Sequence, residues 1–315
     1  MDQPVQETHT FSVDALKGII APALTPFNDD LSVAEDLYIA HAKWLLADGC
    51  VGLAPFGTTG EALSVGIDER NHILEKLVDE GIDPAKLIPG TGLTNLPDTV
   101  KLTRKAVDLG CAGAMILPPF YFKNVADDGL FAYFAKLIEM VDRDALRIYL
   151  YHIPQVAGVG LPVDVVRRLR EAFPQQIVGI KDSSGVWENT EALLQIKDLI
   201  VYPGAELPLI EALDLGSPGC ISATANLNAA GIAEVIRTYQ AGDRDKAVQL
   251  HEKVKKFRLT MQDYAPIPAQ KRLLAQWVDP RWANVRPPFL AMSEADGQAL
   301  AARLKDEFGI EGLRG

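Results

Sequence analysis

Short runs of apolar, largely β-branched residues alternate with longer amphipathic stretches over the first three quarters of the chain. The runs are 18–25 (GIIAPALT), 51–56 (VGLAPF), 87–91 (LIPGT), 113–117 (GAMIL), 147–153 (RIYLYHI), 176–181 (QIVGIK), 200–204 (IVYPG) and 219–223 (GCISA). Their length suits strands, and their lack of a polar face suits strands covered on both sides. Helical patterns fill the intervals, for example 34–47, 97–109 and 128–141. Pro97 and Pro162 stand at helix starts, where a first turn tolerates proline, and Gly49, Gly110 and Gly216 follow helix ends. Strand–helix units in this number predict an α/β fold, a parallel sheet closed into a (β/α)8 TIM barrel over residues 15–240. Beyond it the pattern stays helical at 243–264, 268–277 and 293–308, interrupted by Pro266, Pro268, Pro280, Pro287 and Pro288. Residues 241–315 are therefore expected to form a helical extension on the barrel, and residues 1–14 a short lead-in.

At 315 residues the chain accommodates one barrel of roughly 250 residues plus such an extension. Its net charge of −11 is carried with scattered basic residues, which disfavours nucleic acid or an anionic membrane as partner. No apolar run approaches the roughly 20 residues needed to span a bilayer. The start, MDQPVQETHTFSVD, lacks a basic segment followed by an apolar one, so a cytoplasmic protein is expected. Cys50, Cys111 and Cys220 are far apart, each in an apolar neighbourhood, and read as buried free thiols in a reducing cytosol. The histidines show no H-x-x-x-H pair and the cysteines no C-x-x-C, so no metal site is expected.

In such a barrel the working residues lie at the C-terminal ends of strands and on the loops that follow. Lys181 ends the run QIVGIK and precedes Asp182-Ser183-Ser184-Gly185. Burial there disfavours an ammonium and leaves an amine able to attack a carbonyl; a buried ion pair is the competing reading. The second run ends Phe56-Gly57-Thr58-Thr59-Gly60-Glu61, where two glycines let N–H groups and two hydroxyls approach a ligand. Without a P-loop lysine or the third glycine of a dinucleotide site, this segment either holds a carboxylate or is simply a tight turn. In Tyr149-Leu150-Tyr151-His152-Ile153-Pro154, alternation puts both tyrosines on one face and His152 on the other. A phenol in the lumen beside an amine could carry protons; a core tyrosine with a satisfied hydroxyl is the alternative.

In this order the pieces resemble one family, the pyruvate-dependent class I aldolases and hydro-lyases typified by dihydrodipicolinate synthase and N-acetylneuraminate lyase. The marks are Gly57-Thr58-Thr59-Gly60-Glu61, Tyr151-His152-Ile153-Pro154, Gly179-Ile180-Lys181-Asp182 and Gly219-Cys220-Ile221-Ser222, within a likeness running from about Gly18 to about Leu290. The resemblance implies that Lys181 forms a Schiff base with a pyruvate-like 2-keto acid and that Tyr151 transfers protons. It implies that Thr58 and Thr59 hold the substrate carboxylate, with Thr59 also relaying protons to Tyr151. Main-chain groups near Gly204 and Ile221 would complete the pocket. Tyr121, in Pro118-Pro119-Phe120-Tyr121, would reach a neighbouring subunit's site in a homo-oligomer, a dimer of dimers. No cofactor is implied beyond the covalent imine.

The departures narrow the expected substrate. Dihydrodipicolinate synthases carry an arginine for the second substrate's carboxylate where this chain has Val156, which cannot make a bidentate contact. Sialic acid lyases use an acidic pair and a serine on the sugar polyol; here Glu206 is left to contact substrate, while Leu207 and Ala223 cannot. His152 replaces an asparagine. What remains is a lyase acting on a 2-keto-3-deoxy sugar acid or a 4-hydroxy-2-oxo acid, releasing or using pyruvate. A sugar-acid dehydratase or dihydrodipicolinate synthase-like activity through the same imine is the alternative. A keto-acid-binding protein without catalysis is a third reading, although a binder needs no activated amine.

Overall fold

The computed structural model describes residues 15–313, so the expected lead-in of residues 1–14 lies outside the described residues. Seven parallel strands carry the fold: β1 (Ile19–Ala21), β2 (Gly52–Leu53), β3 (Ala114–Ile116), β4 (Ile148–His152), β5 (Ile177–Asp182), β6 (Ile200–Pro203) and β7 (Cys220–Ile221). They pair in the orders β2-β1-β7 and β3-β4-β5-β6. The remaining expected strand, 87–91, fills the gap between β2 and β3 without a continuous ladder. The Ile88 amide donates to the Leu53 carbonyl at 2.9 Å, the Thr91 amide to Met115 at 3.0 Å, and the Met115 amide to Pro89 at 2.8 Å. Pro89 has no N–H to give, and a side chain on Gly90 would collide with the Phe56 carbonyl, so the segment bridges both neighbours only in places. At the seam between β6 and β7, the Ser217 hydroxyl lies 2.7 Å from the Val201 carbonyl and 2.8 Å from that of Gly219. The result is a (β/α)8 barrel.

Helices cover the outside as the pattern requires. Pro97 sits in the first turn of Leu96–Asp108, whose N-cap Asn95 accepts the Asp98 amide at 2.9 Å, and Gly110 ends that segment at a φ of +81°. Ile20, Ala54, Ile88, Met115, Tyr149 and Tyr202 pack together in the lumen. The lumen is therefore a packed core below the strand ends, not a channel.

After the barrel come the helices Arg244–Gln262, Pro266–Trp277 and Glu294–Phe308. Pro266 and Pro268, expected as interruptions, instead open the second of these, because a first turn has no intrahelical acceptor for their missing N–H. The extension folds back on the first barrel units. Leu273, Trp282 and Leu300 pack with Leu24 and Leu37, and Arg286 pairs with Glu69 at 2.6 Å. Among the described residues, no helix is long and apolar enough to cross a membrane.

Candidate active site

Strand register decides which side chains meet at the C-terminal end of the barrel. Tyr151 on β4 is the direct partner of Lys181 on β5. Lys181 is 4 % exposed, and its Nζ lies 4.5 Å from the centre of the Tyr151 ring. Both line a cavity of about 710 Å³, together with Thr58, Thr59, Gly204 and Arg258. The buried ion pair that a strand-ending lysine could have made belongs to a different residue: Lys271 of the extension pairs with Glu61 at 2.6 Å, both side chains fully buried. Burial pushes the Lys271 amine down to about 8.

The Thr58–Thr59 loop is held in an uncommon conformation. Phe56 and Glu61 both adopt left-handed backbone, with φ of +57° and +51°. Such strain costs about 1–3 kcal/mol at a non-glycine residue and persists only where the surroundings impose it. They do so here: the Thr25 hydroxyl donates to the Gly60 carbonyl at 2.7 Å, the Glu61 amide donates to Thr58 at 3.1 Å, and Lys271 anchors the Glu61 carboxylate from behind.

The expected site residues do not all meet in this cavity. The hydroxyl brought to Tyr151 is that of Thr58, at 3.2 Å, whereas Thr59 only shares the cavity wall. Glu206 is wholly buried and away from the cavity. Its carboxylate accepts from the hydroxyls of Ser222 and Thr224, and its carbonyl lies 2.6 Å from His251 Nε2. It ties β7 to the extension and does not contact substrate space. The Ile221 side chain packs in the lumen, and Ala223 of the same segment lines the cavity. Tyr121 is 76 % exposed and does not line the cavity that holds Lys181 and Tyr151. His152 faces outward, its Nδ1 accepting the Leu161 amide at 2.8 Å. Cys111 is only partly buried, while Cys50 and Cys220 are buried; all three are free thiols.

Other positions hold the frame. Asp182 accepts the Ser184 amide at 2.9 Å, the Asn189 side chain at 3.0 Å and the Thr190 hydroxyl at 2.6 Å, which leaves its charge committed. The Gly204 amide donates to the Asp182 carbonyl at 2.6 Å, and any side chain on Gly204 would strike Ser183. Val156, with 61 % of its surface exposed, sits on the rim without a polar group. Sequence reasoning missed Arg258 and Gln262, which reach the cavity from the helix Arg244–Gln262. Nothing in the run KKFRLTMQ separates Arg258 from its solvated basic neighbours.

A family model described as the dihydrodipicolinate synthetase family matches residues 15–307. The chain belongs to this family. It is 33% identical over 288 residues to an uncharacterized DapA-like lyase of Chloroflexus aurantiacus, covering 91% of this chain and 95% of that one. It is 31% identical to a 4-hydroxy-tetrahydrodipicolinate synthase of Methanothrix thermoacetophila, over 92% and 95% of the two chains. Among solved structures, dihydrodipicolinate synthase from Agrobacterium tumefaciens superposes with a TM-score of 0.83 at 34% identity, over 93% of this chain and 99% of that one. YagE, a prophage protein of this family from E. coli K12 solved in complex with pyruvate, gives 0.83 at 25% identity, over 92% and 98%. The protein is thus a lyase of the dihydrodipicolinate synthetase family.

Proposed function

We propose that the protein is an imine-forming aldolase that uses or releases pyruvate, acting on a 4-hydroxy-2-oxo acid or a 2-keto-3-deoxy sugar acid. The observation that carries this reading is Lys181: a buried amine with no ion pair among the described residues, opening on a cavity beside the Tyr151–Thr58 hydroxyl pair. The Lys181 amine adds to the 2-keto carbon and water leaves, giving a protonated imine. That imine accepts the electron pair of the carbon 3–carbon 4 bond as it breaks, and the resulting aldehyde departs. Tyr151 takes the proton of the 4-hydroxyl, returns one to carbon 3 of the enamine, and hydrolysis frees pyruvate. Thr58, Thr59 and the N–H groups of their loop hold the carboxylate, because a developing charge is best met by donors already fixed in place.

A dehydratase uses the same imine to expel a hydroxyl in place of an aldehyde. 4-Hydroxy-tetrahydrodipicolinate synthase activity, for which relatives are named, is the alternative through the same imine; on the loop after β4, Val156 offers its second substrate no cation. The exposed pair Tyr121 and Phe122 supports a homo-oligomer, a dimer of dimers, with this loop against another subunit. Pyruvate with borohydride is expected to leave a reduced pyruvyl group on Lys181 alone, located by peptide mass mapping, and Lys181→Ala abolishes it. Undiminished labelling of that variant would sink the reading.

A further inference from the structure

The helix Arg244–Gln262 brings Arg258 to the wall of the cavity that holds Lys181. The Arg258 Nε is buried without a hydrogen-bond partner. Buried donors are paired in the great majority of cases, and an exception calls for an explanation. Other arginines of the extension have one: Arg281 pairs with Asp36, Arg286 with Glu69 and Arg303 with Asp263. Among the described residues Arg258 has no such carboxylate. Of the acidic groups on the same cavity wall, Asp182 is fully engaged by its own loop, and Glu211 is solvent-exposed and makes no ion pair with Arg258. Gln262, one turn further along the helix, lines the same cavity and adds an amide donor.

The cavity is also far larger than pyruvate requires. Its volume of about 710 Å³ falls among those that enclose ligands of drug size. Lys181, Thr58 and Tyr151 line it from the barrel, and Arg258 lines it from the extension.

We propose that Arg258, assisted by Gln262, binds a second carboxylate at the far end of the substrate, making the enzyme selective for dicarboxylic 2-oxo acids. The identity of the near end rests on the imine reading above. Arg258 supplies from the extension the cation that Val156 fails to supply from the loop after β4. A guanidinium fork matches a carboxylate in shape and charge. A single such group, sharing its wall with Glu211, suits a monoanion better than a phosphate.

Ligands that cannot form an imine test this separately from the chemistry of Lys181. Calorimetric titration of the whole protein with 2-hydroxyglutarate and with 2-hydroxyvalerate compares a distal carboxylate with a distal methyl group. The wild type is expected to prefer the dicarboxylate by roughly tenfold to a hundredfold, the range of one charge-assisted contact. Arg258→Met removes that preference and Arg258→Lys keeps part of it; the lysine variant also serves if the methionine variant fails to fold. An equal preference in Arg258→Met, or none in the wild type, overturns the proposal. Tighter, Arg258-dependent binding of 3-phosphoglycerate than of 2-hydroxyglutarate overturns the carboxylate in favour of a phosphate. A wild type that shows the preference but never traps pyruvate would support this site while overturning the imine reading.

Discussion

Lys271 Nζ lies 2.6 Å from Glu61 Oε1, a fully buried contact between residues 210 positions apart. It joins the extension to the strained loop that carries Thr58 and Thr59. The Lys271 ammonium also sits 4.4 Å from the centre of the Phe27 ring. Removing one member of a buried pair leaves the other as an unpaired charge, at a cost of about 3–5 kcal/mol. Lys271→Met is therefore expected to lower the urea midpoint strongly and to reduce kcat even where the protein remains folded. Adding Glu61→Gln to it should recover much of the stability but not the loop geometry. Equal and additive losses in the two single variants would show that the pair is not coupled.

The 3.2 Å contact of Thr58 with the Tyr151 hydroxyl separates two neighbouring threonines. Tyr151→Phe removes only the hydroxyl and is expected to lower kcat by about 10² to 10⁴, the usual range for a general acid–base group. Thr58→Val should follow with a smaller loss, and Thr59→Val should act mainly on KM. Steady-state kinetics with each variant checks the order; a larger kcat loss in Thr59→Val than in Thr58→Val would reverse the assignment.

Tyr121 is expected to serve the neighbouring subunit, since it is exposed and does not line the cavity that holds Tyr151 of its own chain. Mixing Lys181→Ala subunits with Tyr121→Phe subunits should then restore part of the activity. Hybrid dimers would hold one site with both residues intact. Absence of recovery, with subunit exchange demonstrated and the Tyr121→Phe parent crippled, would assign Tyr121 to its own subunit or to no site.

His41 provides a pH dependence with a definite sign. Burial pushes its imidazole from 6.5 down to about 4, while its Nε2 lies 2.9 Å from Asn226 Oδ1. The unfolded chain therefore binds a proton that the folded chain refuses. This contribution is fully present above pH 6.5 and is lost as pH falls toward 4, by about 3 kcal/mol at most. His152 and His251 are pushed down as well, by burial, and act in the same direction. Urea midpoints at pH 7.5 and 4.5 should therefore fall less steeply in His41→Gln than in the wild type. An unchanged slope would exclude His41 as a source of acid sensitivity.

The barrel was legible in the chain because strands covered on both faces must be apolar throughout and the helices between them need caps and proline starts. That Lys181, Tyr151 and Thr58 would share one rim was legible for a related reason: each lies at a strand end or on the loop that follows it. What the linear pattern could not convey were contacts between segments far apart. Glu206 looked like a substrate contact until Ser222, Thr224 and His251 closed around it. Thr58 and Thr59 are equivalent in composition, and only the turn between Phe56 and Glu61 aims one of them at Tyr151. Arg258 lies 77 positions beyond Lys181 in a helix of ordinary basic character. Its place in the cavity depends on how the extension docks, through Lys271 and Arg286, on loops from the start of the barrel. Local propensity sets where elements begin and end, whereas side-chain partnership is decided by packing, which no local pattern encodes.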